Sequence, residues 1–407
     1  MTTRPQASAF YPSLVFLALI FALVPVAAQP TQAQTYTVIH AFSGYPDGAV
    51  PFADLTMANA DTLYGTASTG AYHAEGAVFS LKRSGSSWTY ANVYNFQRGN
   101  NDGHTPYGGV TTDRGGNLYG TTTLGGSTNC SLGCGVVYKL TPPQNFGSWT
   151  ETILHFFNGS DGEGPGYGNL IFDQAGNLYG TTTYGGTYNY GIVFELTPSN
   201  GSWTETVLWN FTGGSDGSEP WSGLTLDSAG NLYGTTEFGG IYGRGNVYKL
   251  SRSGSGWTLT NLLSLNSFEG NDLIGGVAMD PEGNLYGTAV KGGPQGGGTV
   301  FELAPSNGGW AYRVVGFFAQ GIGATDTPTL DTAGNIYLTT QSQLGYGSVA
   351  KFVRSNGGWQ TITLHTFENS DGADPYGSVI VDAEGNIYGT TSSGGSEHNG
   401  VAFEIAP

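Results

Sequence analysis

The stretch 173–182 reads DQAGNLYGTT, and its central phrase GNLYGTT returns, whole or degraded, along nearly the whole chain. The tyrosine of the phrase falls at Tyr64, Tyr119, Tyr179, Tyr233, Tyr286, Tyr337 and Tyr388, at intervals of 55, 60, 54, 53, 51 and 51 residues. A recurrence of this size marks a repeat architecture, in which each unit buries its apolar face against its neighbours. The unit around Tyr179 reads as four short strands, at 169–173, 177–182, 191–196 and 203–211. The first turn lies at 174–176, a Gly-rich loop runs through Gly185 and Gly186, and a second turn spans 198–201. Gly180, inside the second strand, predicts a close backbone approach. No segment keeps a helical period. Four strands per unit of about 50 residues predict a propeller blade; the coils of an open β-solenoid are shorter.

The two ends decide the closure. Segment 400–407, GVAFEIAP, reads as a third strand with no fourth after it. Segment 35–42, TYTVIHAF, reads as a fourth strand with none before it; Phe42 aligns with Phe157 and His40 with His155. Pairing the two segments covers two exposed edges at once. The expected fold is therefore all-β: one domain over 35–407, a seven-bladed β-propeller of four-stranded blades, closed by the N-terminal strand pairing with the C-terminal blade.

Thirteen Lys and Arg against 30 Asp and Glu give a net charge of −17. Such a surface repels phosphate, which argues against nucleic acid and anionic membranes as partners. Aromatic residues at 13% argue for a packed fold rather than a disordered acidic chain. Arg4, the apolar run Leu14 to Val24 and the small residues Val26, Ala27 and Ala28 read as a signal peptide over 1–28, with a cut after Ala33 as the alternative. No later run is long enough for a transmembrane segment in the mature chain, so a secreted, extracellular or periplasmic location is expected. Cys130 and Cys134 are then expected to form a disulfide and not a metal site.

The repeated D-x-x-G-N-L-Y-G-T-T, followed by G-G and by G-V-V-F-E-L-T-P, resembles the GloVer tandem repeat of exported bacterial proteins. The resemblance covers most of the chain. It implies an extracellular or surface location and a repeat-built fold, and it brings no catalytic or ligand-binding residues with it.

In a propeller the two-to-three loops and the four-to-one loops share one face. The four-to-one loops carry Asp-Gly-x-x-Pro at Asp47, Asp102, Asp161, Asp216 and Asp371, while Asp272 and Asp326 stand in looser contexts. These carboxylates suit Ca²⁺ or a cationic group, or else accept backbone N–H bonds in a shaped turn. The missing alternation of a Ca²⁺ loop favours the turn. Tyr107, Trp221 and Tyr376 follow the Pro, and Tyr184 and Phe238 precede Gly-Gly; flat rings beside carboxylates suit sugar stacking. The candidate ligand-binding set is thus Asp102, Tyr107, Asp161, Tyr184, Asp216, Trp221, Phe238, Asp371 and Tyr376.

Other motifs read as structural. Asp113, Asp173, Asp227, Asp280, Asp331 and Asp382 start one-to-two turns. His40, His155 and His365 share a strand-four position with Tyr94, Trp209, Leu263 and Gly316, which predicts packing rather than a metal or catalytic role. The G-x-S-x-G match at 213–217 lacks the strand–turn–helix setting of a nucleophile elbow. A strand-three position reads Ser80, Lys139, Glu195, Lys249, Glu302, Lys351, Glu404, and its alternating signs predict ion pairs between blades. No catalytic constellation and no cofactor is expected, Ca²⁺ in the Asp loops aside. The function expected is a non-enzymatic binding or scaffold protein for a carbohydrate, peptide or protein. The alternatives are a polysaccharide lyase or glycoside hydrolase using funnel-facing carboxylates, and a purely structural envelope protein.

Overall fold

A computed structural model describes residues 34–407 except 100, 101, 145, 146, 255, 356 and 357; the signal-peptide reading lies outside the described residues. Seven antiparallel sheets of four main strands follow one another along the chain. Blade one runs from Thr56–Asn59 to Ser87–Asn95, blade two from Val110–Thr112 to Thr150–Phe156, and blade three from Ile171–Phe172 to Ser202–Asn210. Blade four runs from Thr225–Leu226 to Gly256–Ser264, blade five from Val277–Met279 to Gly309–Ala319, and blade six from Thr329–Leu330 to Gly358–Thr366. Blade seven takes Ile380–Val381, Ile387–Thr391 and Val401–Ala406 from the C-terminus and Thr35–Ala41 from the N-terminus. Val38 faces Phe403 across that last pairing, so the ring closes as expected.

Every strand four carries a bulge that inserts one extra residue against strand three. The inserted residue is Val93, Leu154, Leu208, Leu262, Val315 or Leu364 in the first six blades and Ile39 in the closing strand. A bulge bends its strand and raises the local twist. An apolar side chain at each bulge, packed against the core in every blade, makes the closing strand equivalent to the other six.

Each letter of the repeated phrase has a structural task. In blade three, Asp173 Oδ1 accepts the N–H groups of Ala175 and Asn177, and Oδ2 accepts the Asn177 amide and the Tyr179 hydroxyl. The tyrosine-to-turn bond recurs in blades two to seven. These bonds favour the charged carboxylate and hold Asp113, Asp173, Asp227 and Asp331 below the usual range against the opposing effect of burial. Gly180 leaves room for a ring: a Cβ there would lie 2.6 Å from Phe194 Cζ. Blade six reverses the pair, with Leu338 opposite Ala350. The first threonine of the phrase joins neighbouring blades, as Thr181 donates to Ser222 O at 2.8 Å and Thr390 to Ala53 O at 3.0 Å across the closure. The second threonine fastens the following loop, as Thr182 donates to Tyr184 O.

Two expectations change in detail. The hairpin after strand three is shorter than 198–201: Ser199 pairs with Ser202, and only Asn200 (φ 48°) and Gly201 (φ 88°) form the loop. Two positive-φ residues suit the right-handed twist of the flanking strands, and Asn-Gly supplies them. The alternating charges do not pair with one another. Glu195, Glu302 and Glu404 instead meet Arg252, Arg354 and Arg83 of the next blade at 3.2, 3.4 and 3.0 Å. Each of these arginines lies three residues beyond the ring position and covers a tryptophan of its own blade. Lys139, Lys249 and Lys351 lie over Tyr119, Tyr233 and Tyr337.

Candidate functional site

Each segment that enters a blade from strand four first pairs with the loop leaving strand two. The pairing occurs at Ala49–Thr69, Gly103–Gly125, Glu163–Tyr184, Ser218–Phe238, Asn271–Lys291, Ile322–Ser342 and Ala373–Ser393. Backbone bonds therefore fix one face of the ring as a rim, and the residues just beyond the prolines turn toward the axis.

There they enclose a cavity of about 260 Å³ bordered by blades one and three to seven. Its aromatic wall is one continuous cluster. Phe52 stacks on Tyr376 with centroids 4.1 Å apart and meets Tyr167 at 5.1 Å. Tyr167 in turn meets Trp221 at 4.9 Å. Tyr107 of blade two packs on Phe52 at 5.4 Å and on Tyr167 at 4.7 Å, which supports the wall from behind.

Three carboxyl groups border the same space. Asp54 accepts the Ser378 N–H at 2.5 Å and joins blades one and seven. It opens to the cavity but is remote from bulk solvent, and burial pushes its pKa up to about 6 against the Ser378 hydrogen bonds. Asp326 accepts the Thr339 N–H at 2.8 Å through Oδ2, while its buried Oδ1 has no partner. Burial raises Asp326 well above the usual carboxylate range, and the charge of Asp54 adds to that. Burial also pushes Glu237 up to about 7. The buried Trp221 indole N–H lacks a partner in hydrogen-bond geometry, yet it lies close enough to Glu237 to favour the charged form. Among the described residues none that lines the cavity is basic, and Lys291 acts on Glu237 from outside the lining. The arrangement offers ring faces, hydrogen-bond donors and acceptors, and carboxyl groups able to hold a proton near neutrality.

The sequence candidates divide between this cavity and its rim. Trp221 and Tyr376 line it, and Tyr107 lies behind. Tyr184 stands at the edge, 6.2 Å from Trp221, with its hydroxyl 3.4 Å from Glu219. Phe238 sits on the rim in its bridge with Ser218. The four aspartates lie outside the cavity lining. Asp102 accepts Gln97 N–H, Asp161 accepts Asn158 N–H, Asp216 accepts Thr212 N–H and Asp371 accepts Glu368 N–H, each bond tying a loop to the end of strand four. Those bonds are the ones a shaped turn makes. Phe52, Asp54, Tyr167, Glu237 and Asp326 were not among the sequence candidates. Phe52 had the signal already used for Tyr107, since it follows Pro51. Gly166 displaces Tyr167 by one place from its proline, and Asp54, Glu237 and Asp326 have no recurring phrase around them.

Further apolar side chains crown the same face. Tyr72, Tyr188, Tyr190, Tyr242 and Tyr346 stand exposed on two-to-three loops of blades one, three, four and six. Cys130 and Cys134 form the expected disulfide inside the blade-two loop. Among the described residues, no helix is long and apolar enough to cross a membrane.

The model of the Gloeobacter/Verrucomicrobia repeat matches residues 20–147 and 127–330. No curated protein matches the sequence. Among solved structures, a polysaccharide lyase described as an ulvan lyase bound to -[GlcA(1-4)Rha3S]- is similar in fold. Its TM-score is 0.57 at 12% identity, over 89% of this chain and 94% of the lyase. A second structure, described as a new family of polysaccharide lyase and also an ulvan lyase, gives 0.56 at 12% identity, over 88% of this chain and 92% of the other.

Proposed function

The chain belongs to the Gloeobacter/Verrucomicrobia repeat family, and we propose that it is an exported, non-enzymatic binding protein that takes a neutral carbohydrate on its loop face, one sugar ring entering the axial cavity. The observation that carries this reading is the aromatic wall of Phe52, Tyr167, Trp221 and Tyr376 closed by Asp54, Asp326 and Glu237. Sugar rings present C–H faces that pack on aromatic rings and hydroxyls that bond to carboxyl groups, which is the chemistry this lining offers. The exposed tyrosines of the neighbouring loops extend the same chemistry along a chain. An anionic polysaccharide fits poorly, because three acids border the cavity and the whole chain carries −17. The disulfide and the apolar N-terminal run support export.

The test is binding of neutral and uronate-bearing oligosaccharides to the mature protein, by glycan array and then calorimetry. Neutral glycans should bind, and Trp221→Ala should weaken them about tenfold or more at temperatures where the variant remains folded. Binding limited to anionic glycans, or binding indifferent to Trp221→Ala, would overturn the reading. The raised Glu237 and Asp54 favour glycoside hydrolysis as the second reading, since that chemistry needs one protonated and one ionised carboxyl group. Reducing ends released by the parent and lost in Glu237→Gln would replace binding with hydrolysis.

A further inference from the structure

Outside the cavity, one of the three blade junctions that carry a strand-four histidine departs from the other two. At three junctions a strand-four histidine meets the aspartate of its own four-to-one loop. At two of them the arrangement is complete. His40 Nε2 bonds to Asp47 Oδ2 at 2.8 Å, and its ring stacks on Tyr90 of the next blade at 4.2 Å. His365 Nε2 bonds to Asp371 Oδ2 at 2.9 Å, and its ring stacks on Tyr36 at 3.7 Å. At the third, the strand-four position that holds Tyr90 and Tyr36 holds Glu205; all three face the same apolar position of strand three, at Leu81, Ile405 and Leu196.

The third junction is left incomplete. His155 Nε2 lies 3.3 Å from Asp161 Oδ2 without making a hydrogen bond, and both His155 Nε2 and Glu205 Oε1 are buried with no partner. Asp161 is held in place by Asn158, whose N–H and side-chain amide donate to Oδ1 and Oδ2 at 2.8 and 2.6 Å. One atom from each of His155, Asp161 and Glu205 falls within 4.8 Å of the others. A buried polar atom left without a partner loses its hydration with nothing in return, and here two of them lie beside a fixed carboxylate.

We infer that His155, Asp161 and Glu205 bind a divalent transition metal ion of the zinc type between blades two and three. One imidazole and two carboxylates match the donor set such ions take. Ca²⁺ is disfavoured, because it asks for six to eight oxygens and no imidazole. His155 and Asp161 already stand 3.3 Å apart, a spacing two ligands of one ion can have, and the flexible side chain of Glu205 can close in as the third. Asp161 is pre-positioned by Asn158, and three protein ligands leave a position for water. The inference does not depend on the sugar-binding reading, since none of these residues borders the axial cavity.

Calorimetry with Zn²⁺ on untagged mature protein tests it, with Co²⁺ absorption as a report on coordination. One ion per chain should bind. Glu205→Gln, which keeps the shape, should weaken binding by about tenfold or more. Glu205→Tyr recreates the arrangement native to two other junctions, so it should fold, lose the ion and melt no lower than the metal-free parent. A parent that takes up no stoichiometric Zn²⁺, or variants that bind it as the parent does, would overturn the assignment.

Discussion

Phe42→Ala measures how the ring is held shut. Phe42 follows the closing strand, is fully buried, donates its N–H to Gly400 O at 3.0 Å and packs edge-on against Phe79 at 5.1 Å. Phe211 is its counterpart in blade three: fully buried, bonded to Gly191 O at 3.1 Å and edge-on to Tyr248 at 5.3 Å. Truncating either ring removes its transfer energy and leaves a cavity, a loss of about 3–5 kcal/mol. With an unfolding entropy of about 2.1 cal/mol/K per residue over about 370 residues, each variant should melt about 4–6 °C lower. The two should differ in local opening. Strand 202–210 is tied to its neighbour by a two-residue hairpin, whereas Thr35–Ala41 is held to Val401–Ala406 only by pairing and packing. Opening the closing strand frees only the N-terminal residues, so the lost energy appears directly as exchange. Amides of 401–406 that face the closing strand should exchange about 10²–10⁴-fold faster in Phe42→Ala, while 192–197 in Phe211→Ala keep most of their protection. Equal exchange at the two sites would refute the reasoning that this closure is the weak seam.

Gly180→Ala should destabilise by about 1–3 kcal/mol, because the new Cβ meets a buried ring at 2.6 Å; combining Gly180→Leu with Phe194→Ala, the blade-six arrangement, should recover much of it in denaturant titrations. Glu302→Lys places a cation against Arg354 and removes the acceptor facing Tyr286, so it should cost about 1–3 kcal/mol, and an unchanged melting temperature would refute the inter-blade role. Stability should fall as pH rises from about 4.5 to 7, because Glu237 in the folded state, pushed up to about 7, holds a proton that the unfolded chain has released. Asp54, also raised, shares that slope, so Glu237→Gln should make the melting-temperature profile shallower without levelling it, and a profile as steep as the parent's would refute the assignment.

The fold was legible because the repeat spells out local chemistry. Asp173, Asn177 and Gly180 sit at fixed offsets, each offset is one turn or one strand, and seven copies leave no other period to choose. The two unpaired strands read at 35–42 and 400–407 pointed to the closure in the same way. The charge ring was legible only in part. The alternating signs are in the sequence, but the partner of each glutamate is set by the stagger between blades, which no single blade records. The same holds at the axis. Trp221 and Tyr376 carried a signal by following a proline, whereas Asp54, Glu237 and Asp326 reach the cavity from different blades and share no phrase. The His155 junction shows the limit most plainly. Sequence alignment makes His155 equivalent to His40 and His365, and only the adjoining blade, which supplies Glu205 where the others supply tyrosine, sets it apart. Local spacing is enough to determine turns, strands and their number, because those bonds are made within one unit. Burial of a carboxyl group, and which side chain from elsewhere stands beside it, is decided only when seven units are brought into a ring.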